Sequence, residues 1–187
     1  MVSIRGEGPI WVTSLERTVV DCARIGEFQR AVIIGDHALR KGASLQGIQS
    51  LVASMPGSRG IRRARQVVEA LDARSESAGE TRTRLILRAF NIEQPDVQVV
   101  IQAGSISYRA DFAWPALKLI LEFDGKSKYF DFAPTGQVIF EERRREKALM
   151  ELGWRFIRIE WSDLGRPGEL RTRIQAAIAR AREGLAA

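Results

Sequence analysis

Apolar residues recur along this chain with two different periods, and the change of period divides it. Between residues 13 and 73 they fall at helical spacing. Thr13 or Ser14 is placed to cap a helix through Ile25, with Leu15, Val19 and Cys22 along it. A second helix is expected from about Glu27 to Lys41, ended by Gly42, and a third from Leu45 to Ala53 ahead of a Pro56-Gly57 turn. Gly60 precedes a fourth, Ile61 to Ala73. Glu80 to Phe90 is again amphipathic, with Leu85, Ile86 and Phe90 apolar. The period then shortens to two. Asp96–Gln102, Ile106–Trp114 and Leu117–Asp124 read as strands, separated by Gly104-Ser105 and Pro115. Residues 125–139 read as a loop, Phe140–Leu152 as a helix ended by Gly153, Trp154–Trp161 as a strand and Glu169–Glu183 as a closing helix.

This pattern separates a small helical N-terminal module, residues 1–74, from a second domain, residues 75–187, with the order α–β–β–β–α–β–α. Strands joined by short turns run antiparallel, whereas the last strand, reached through a helix, is free to run parallel to a neighbour. The expected class is α/β of the α+β type, a mixed sheet flanked by helices.

Side chains alternate faces along a strand. By that count Tyr108, Ala110, Phe112 and Trp114 share one face, while Ser107, Arg109 and Asp111 share the other. On the next strand Leu117, Leu119, Leu121 and Phe123 oppose Lys118, Ile120, Glu122 and Asp124. If the apolar faces cover one core, Asp111 lies close to Glu122 and Asp124 across the hairpin. Carboxylates brought together repel one another, and a hard divalent cation removes that cost. Mg²⁺ or Mn²⁺ suits such oxygen ligands, because it keeps several waters and takes one or two carboxylates plus a substrate phosphate. The same cation polarises a phosphodiester and orients an attacking water. Lys126 and Lys128 continue the alternation, where an ammonium would stabilise the pentavalent phosphate or help deprotonate the water.

Composition narrows the chemistry. The chain has 187 residues, a formal net charge of +6 and a pI near 10.1, which favours an anionic partner such as nucleic acid. Cys22 and His37 are the only cysteine and histidine, so a Cys/His zinc site, a histidine-metal nuclease and a histidine-based hydrolase are all hard to build. Hydrolytic chemistry would have to rest on carboxylates, lysine and a metal. Residues 1–17 lack a signal-peptide apolar run, and no stretch approaches the roughly 20 apolar residues of a membrane span, so a cytoplasmic location without membrane contact is expected by default.

Arg62, Arg63 and Arg65 form a basic cluster with few acids nearby, suited to phosphates. Arg143, Arg144 and Arg145, flanked by Glu141, Glu142 and Glu146, fit either a salt-bridged helix face or a phosphate contact. Trp114, Trp154 and Trp161 are expected to pack against the sheet.

Residues 75–165 resemble the DUF559 domain, related to the very-short-patch-repair (Vsr-like) endonucleases of the PD-(D/E)XK superfamily. The resemblance lies in "SESAGETRTR" (75–84), "YRADFAWPALKLILEFDGKSKY" (108–129) and "EERRREKALMELGWRFIRIEWSDL" (141–164). Upstream, "VTSLERTVVDCAR" (12–24) resembles the segment before this domain in actinobacterial AbiEi-like proteins, a type IV toxin–antitoxin component. The resemblance implies a restriction-endonuclease-like core. Asp111 matches the first motif aspartate and Glu122 the acid of the (D/E)XK motif. Asp124 stands where the superfamily has lysine, in the Glu-x-Asp-Gly form usual for DUF559-like sequences, so the lysine role passes to Lys128 or Lys126. Glu80 matches a helix glutamate that often completes the metal site, although a first-turn acid is also what the helix dipole favours. Arg84, one turn along, is implied at the same cleft, and Glu142 and Arg145 match a helix face that often points at it. Many such proteins begin with a winged-helix domain. This chain starts after it, which the resemblance reads as either a short family member or a truncated product, and a protein partner that supplies DNA recognition is one expectation.

The function expected is a metal-dependent DNA endonuclease. Asp111, Glu122, Asp124 and Glu80 would be its ligands for Mg²⁺ or Mn²⁺, and hydrolysis would use a metal-activated water. The alternative is a non-catalytic nucleic-acid-binding regulator or AbiEi-type toxin–antitoxin component on an inactivated nuclease fold.

Overall fold

The computed structural model describes residues 2–3, 9–104, 106–125 and 136–186; most of the expected 125–139 loop, with Lys126 and Lys128, lies outside the described residues. The chain folds as two units, Met1–Ala78 and Gly79–Ala187.

The first unit holds β1 (Val2–Ser3) and β2 (Pro9–Ile10), paired antiparallel, and four helices: α1 (Leu15–Ile25), α2 (Phe28–Arg40), α3 (Leu45–Ala53) and α4 (Ile61–Ala70). Their starts are set by side-chain caps. The Ser14 hydroxyl accepts from the Arg17 N–H at 3.2 Å, and that of Ser44 from the Gly47 N–H at 3.1 Å. Val19, Val20, Val32, Ile48, Ala64 and Val67 form the interior, all fully buried. At Gly60 the backbone is left-handed, and a Cβ there would lie 2.2 Å from the Arg24 carbonyl oxygen, so no other residue fits. Helix α4 stops at Ala70, three residues short of expectation. The cause is Asp36, a buried carboxylate on α2, which accepts the Asp72 N–H at 2.7 Å and holds the chain extended from Leu71.

The second unit is a four-stranded mixed sheet between helices. Its elements are α5 (Ala78–Ala89), β3 (Asp96–Ala103), β4 (Ile106–Trp114), a 3₁₀ turn (Pro115–Leu117), β5 (Leu119–Phe123), α6 (Gly136–Glu151), β6 (Arg155–Ile159), α7 (Trp161–Leu164) and α8 (Pro167–Ala186). Strand order is β3-β4-β5-β6; the first two pairings are antiparallel and β5–β6 is parallel. The last strand thus pairs as its helical connection allows. Strand β5 begins two residues later than expected because Lys118 adopts a left-handed conformation (φ 46°) closing the 3₁₀ turn.

Both faces of the sheet are covered. On one, Phe112, Trp114, Leu119, Leu121, Phe123, Ile157 and Ile159 pack with Ile86, Leu87 and Phe90 of α5 and Leu170, Ile174 and Ile178 of α8. On the other, Ala110, Ala113, Ile120 and Ile101 pack with Leu149 of α6, with Tyr108 and Phe156 beside them. Each fully buried large side chain contributes about 1.5–3 kcal/mol relative to exposure.

The face assignment drawn from simple alternation fails in β4, and the structure gives the reason. Tyr108 and Ala110 lie on the α6 face, but Phe112 and Trp114 lie on the α5–α8 face. The same inversion occurs in β3, where Val97 belongs to one core and Val99 to the other. Between them Gln98 adopts a left-handed conformation (φ 55°), and the ladder, continuous in register from Asp96↔Ala113 to Ala103↔Ile106, skips the pair Gln98 and Asp111. The positive φ breaks the pleat of β3 at Gln98, and β4 breaks at the opposing Asp111, so side chains beyond that rung change faces in both strands.

No helix among the described residues is long and apolar enough to cross a membrane.

Candidate functional site

Asp111 sits at the inversion point. Pairing of β4 with β5 covers Phe112↔Leu121 to Trp114↔Leu119. One step further the same register sets Asp111 opposite Glu122. Asp111 reaches β5 with its side chain. Its Oδ2 accepts the Phe123 N–H at 2.9 Å, doing with a carboxylate what a strand carbonyl would otherwise do. The Asp111 carboxylate is thereby fixed against the backbone of β5.

Glu122 leaves β5 toward the α6 face, half-buried. Its Oε1 accepts from the Tyr108 hydroxyl, which the inversion has brought onto that face. Its Oε2 lies 3.8 Å from Nε of Arg158, its register neighbour in the parallel strand β6. Arg158 also donates from Nη2 to Oε2 of Glu146 on α6 at 2.7 Å. That hydrogen bond raises the pKa of the guanidinium above its ordinary value; burial opposes the rise, and the Glu146, Glu122 and Glu142 charges reinforce it.

Glu80 approaches from the other side of the sheet. It is buried in the first turn of α5, and its Oε2 accepts from Gln98 Nε2 at 3.0 Å. Close packing of α5 on the sheet depends on Gly79, where a Cβ would sit 2.0 Å from the Phe123 ring. Gln98 thus ties the α5 glutamate to the rung that Asp111 occupies. Asp124 is half-buried, and its N–H donates to the Ile159 carbonyl at 2.8 Å. Among the described residues, no three carboxylate, histidine or cysteine side chains converge into a complete cation cage.

Three residues of this arrangement escape sequence reasoning: Gln98, Tyr108 and Arg158. Gln98 carries a faint signal, as a polar break in the apolar run "DVQVV". Tyr108 counts as a core residue until the inversion is known. Arg158 becomes visible only once β5 and β6 are known to be parallel neighbours.

The expected nucleic-acid contacts are spread over both units. Arg84 is buried in α5, and Arg145 is exposed on α6. In the first unit Arg62 and Arg65 are exposed on α4, whereas Arg63 donates from Nη1 to the carbonyls of Ile25 and Gly26, at 3.4 and 3.2 Å, at the C-terminal end of α1. Trp161 is 44% exposed, with the Arg82 guanidinium 5.7 Å from its ring centroid and the Phe123 ring edge-on at 4.9 Å.

No family model and no solved structure matches the chain. Two curated relatives do, both from Mycobacterium tuberculosis: "Uncharacterized protein MT2308" of strain CDC 1551 / Oshkosh and "Uncharacterized protein Rv2248" of strain ATCC 25618 / H37Rv. Each is 33% identical over 168 residues, which is 88% of this chain and 60% of the relative. The chain therefore spans about three fifths of the length of the curated relatives it matches.

Proposed function

We propose that the second unit is a metal-dependent DNA endonuclease built on a PD-(D/E)XK-type core, with Asp111 and Glu122 as the principal carboxylates. The observation that carries this reading is their position: one step past the last β4–β5 rung, opposite each other in register, with Asp111 fixed by the Phe123 N–H. An acid held in a sheet's own hydrogen-bonding plane is set to a fixed direction, which a solvated surface acid is not.

The donor set fits Mg²⁺ or Mn²⁺. All the acids are hard oxygen ligands, and two carboxylates with waters and a substrate phosphate are the usual complement for Mg²⁺, so a complete protein cage is not required. When bound, the cation would polarise the phosphodiester and lower the pKa of an attacking water. Asp111 orients through its bond to β5. Tyr108 donates to Glu122 and restricts its rotamer. Gln98 holds Glu80, which can extend the acidic surface from the α5 side. The positive charge sought at Lys126 or Lys128 has a further candidate in Arg158, beside Glu122. The test is cleavage of plasmid and single-stranded DNA in Mg²⁺ or Mn²⁺ by wild type and Asp111→Ala. Metal-dependent nicking lost in the variant supports the reading; equal activity, or none, sinks it.

A second reading is favoured by one observation. Glu122 is engaged by protein partners on both oxygens, Tyr108 and Arg158, as in a site closed by its own side chains. In that case the unit is a non-catalytic nucleic-acid-binding regulator or an AbiEi-type toxin–antitoxin component. It would bind DNA with salt sensitivity and without metal dependence. Calorimetry with Mn²⁺ separates the two, since only the nuclease binds the ion through Glu122.

A further inference from the structure

The outer edge of β6 carries an opening that the carboxylate site does not use. It is a cleft of about 390 Å³ between β6 and α8, lined by Leu119, Arg155, Ile157, Arg158, Arg173 and Arg180, with Phe156 and Ala177. Four of the eight lining residues are arginines and none is acidic. The sequence places them there by two periods. Arg173, Ala177 and Arg180 fall on one face of α8, at intervals of four and three, and the small Ala177 leaves space between the two long side chains. Arg155 and Arg158 bracket β6, whose partner-facing residues bond inward: Arg155 N–H to the Lys118 carbonyl and the Ile159 carbonyl to Asp124 N–H. The Arg158 carbonyl consequently points to the free edge, and there it accepts from Nη2 of Arg173 at 2.8 Å.

Two of these guanidinium groups are oriented without being neutralised. Arg155 Nη1 donates to the Arg180 carbonyl at 2.9 Å, a dipole that aims the group but leaves its charge. Among the described residues neither Arg155 nor Arg180 has an ion-pair partner. Arg173 meets Asp163 at 3.1 Å and Arg158 meets Glu146 at 2.7 Å, so those two are partly balanced. Arg155, Arg173 and Arg180 gather positive charge around an apolar floor of Leu119, Ile157 and Ala177, while the Arg158 guanidinium turns to Glu146 and Glu122. An anion relieves the mutual repulsion of those three, and planar guanidinium forks match phosphate oxygens in pairs.

We propose that this cleft binds a backbone phosphate of a nucleic-acid strand, with Arg155 and Arg180 as its principal donors. The proposal rests on the nucleic-acid partner of the reading above, and not on catalysis. A strand passing here would be held at the β6 edge, and Arg158 would join the cleft to Glu122.

The test is equilibrium binding of a fluorescent DNA duplex to the full chain, in EDTA, over a range of salt. Arg155→Gln/Arg180→Gln is compared with wild type and with Arg30→Gln/Arg171→Gln, which removes the same charge from exposed positions outside the cleft. Loss of one phosphate contact predicts about fivefold to tenfold weaker binding near 0.1 M salt and a log–log salt slope shallower by about one. The single variant Arg180→Gln, whose side chain has no described protein partner, is expected to show part of this loss with unchanged thermal stability. Affinity within twofold of wild type, or a loss no greater than that of the control variant, overturns the proposal. Inorganic phosphate binding that the cleft variant loses, with DNA affinity unchanged, also overturns it, in favour of a free-anion site. Because the binding assay contains no divalent metal, it does not depend on catalysis: absence of cleavage in the separate Mg²⁺/Mn²⁺ nicking assay would sink the nuclease reading and leave this one standing.

Discussion

Gln98 and Asp111 face each other at the one rung missing from the β3–β4 ladder. Gln98 is left-handed there, and Asp111 turns its carboxylate to the next strand. If the backbone conformation is what inverts the faces, glycine at position 98 should preserve it and a β-branched residue should not. Gln98→Gly is expected to cost less than about 1 kcal/mol, because it loses the Glu80 bond but relaxes the positive φ. Gln98→Val should cost more than about 2 kcal/mol, since a branched Cβ is strained in this region. Urea unfolding of the two variants checks the order, and equal losses would refute the conformational account.

Asp111 has two separable roles. Asp111→Asn keeps an oxygen for the Phe123 N–H but removes the charge. It should remain within about 1 kcal/mol of wild-type stability while losing Mn²⁺ binding and metal-dependent cleavage. Asp111→Ala should lose both, with about 1–3 kcal/mol of destabilisation from the orphaned amide. Calorimetry with Mn²⁺ and thermal unfolding on both variants distinguish them. An Asn variant that still binds the ion would remove Asp111 from the ligand set.

Tyr108→Phe deletes the donor to Glu122 without changing the ring, which also packs edge-on against Phe156 at 6.2 Å. Stability should fall by about 1 kcal/mol. On the nuclease reading the released carboxylate should bind Mn²⁺ more tightly, by roughly fivefold if that same bond energy is recovered. Weaker ion binding would mean instead that Tyr108 holds Glu122 in its ligating rotamer.

Gly79 allows α5 to lie on the Phe123 ring. Gly79→Ala forces a methyl group to 2.0 Å from that ring, so the helix must lift or the ring must rotate. Overpacking of this kind costs about 1–3 kcal/mol, against the modest gain alanine normally brings to a helix. Phe123→Leu in the same chain should recover part of the loss, and strict additivity of the two changes in denaturant melts would contradict direct contact.

The pH dependence of stability has one identifiable contribution in α7. Burial works to raise the Asp163 carboxyl, but the Glu160 N–H at 2.8 Å and the Arg173 guanidinium outweigh it and hold the pKa below the ordinary value. A carboxyl depressed in the folded state stabilises the protein above its unfolded pKa, about 3.9, and that contribution is lost as pH falls through the folded value. Wild type should therefore lose stability below about pH 4 relative to Asp163→Asn, with the difference between them largest near neutrality. A difference that stayed constant from pH 7 to pH 2.5 would exclude the linkage.

Helix boundaries were legible where one residue type has one use. Ser14 and Ser44 cap the helices they precede, and Gly42 and Gly60 adopt the left-handed backbone expected of chain-turning glycines. The mixed sheet follows from short turns between three strands and a helix before the fourth. What could not be read is the inversion at Gln98. Alternation is a parity count, and a break in the pleat at one rung, Gln98 in β3 and Asp111 in β4, flips every assignment beyond it. Asp111 and Glu122 come opposite one another because the β4–β5 register, which the break leaves intact from Phe112↔Leu121, sets that pair. Tyr108 lies beyond it, so the parity count places it on the wrong face. The α4 end is not legible for a related reason: Asp36 reaches Asp72 over a long sequence separation that no local pattern encodes.

The contact between Arg173 and the Arg158 carbonyl bears on how copies of this protein can associate. A free strand edge is a template on which a second sheet can grow, and proteins defend such edges against aggregation. On β6 the defence is a guanidinium already seated on an outward carbonyl and anchored behind by Asp163. An incoming strand would have to displace Arg173 from the Arg158 carbonyl and bury the charges of Arg155 and Arg180, which have no ion-pair partner among the described residues. Neutral or basic segments are thereby turned away from this edge, so continuous sheets across molecules cannot begin here without first losing Arg173.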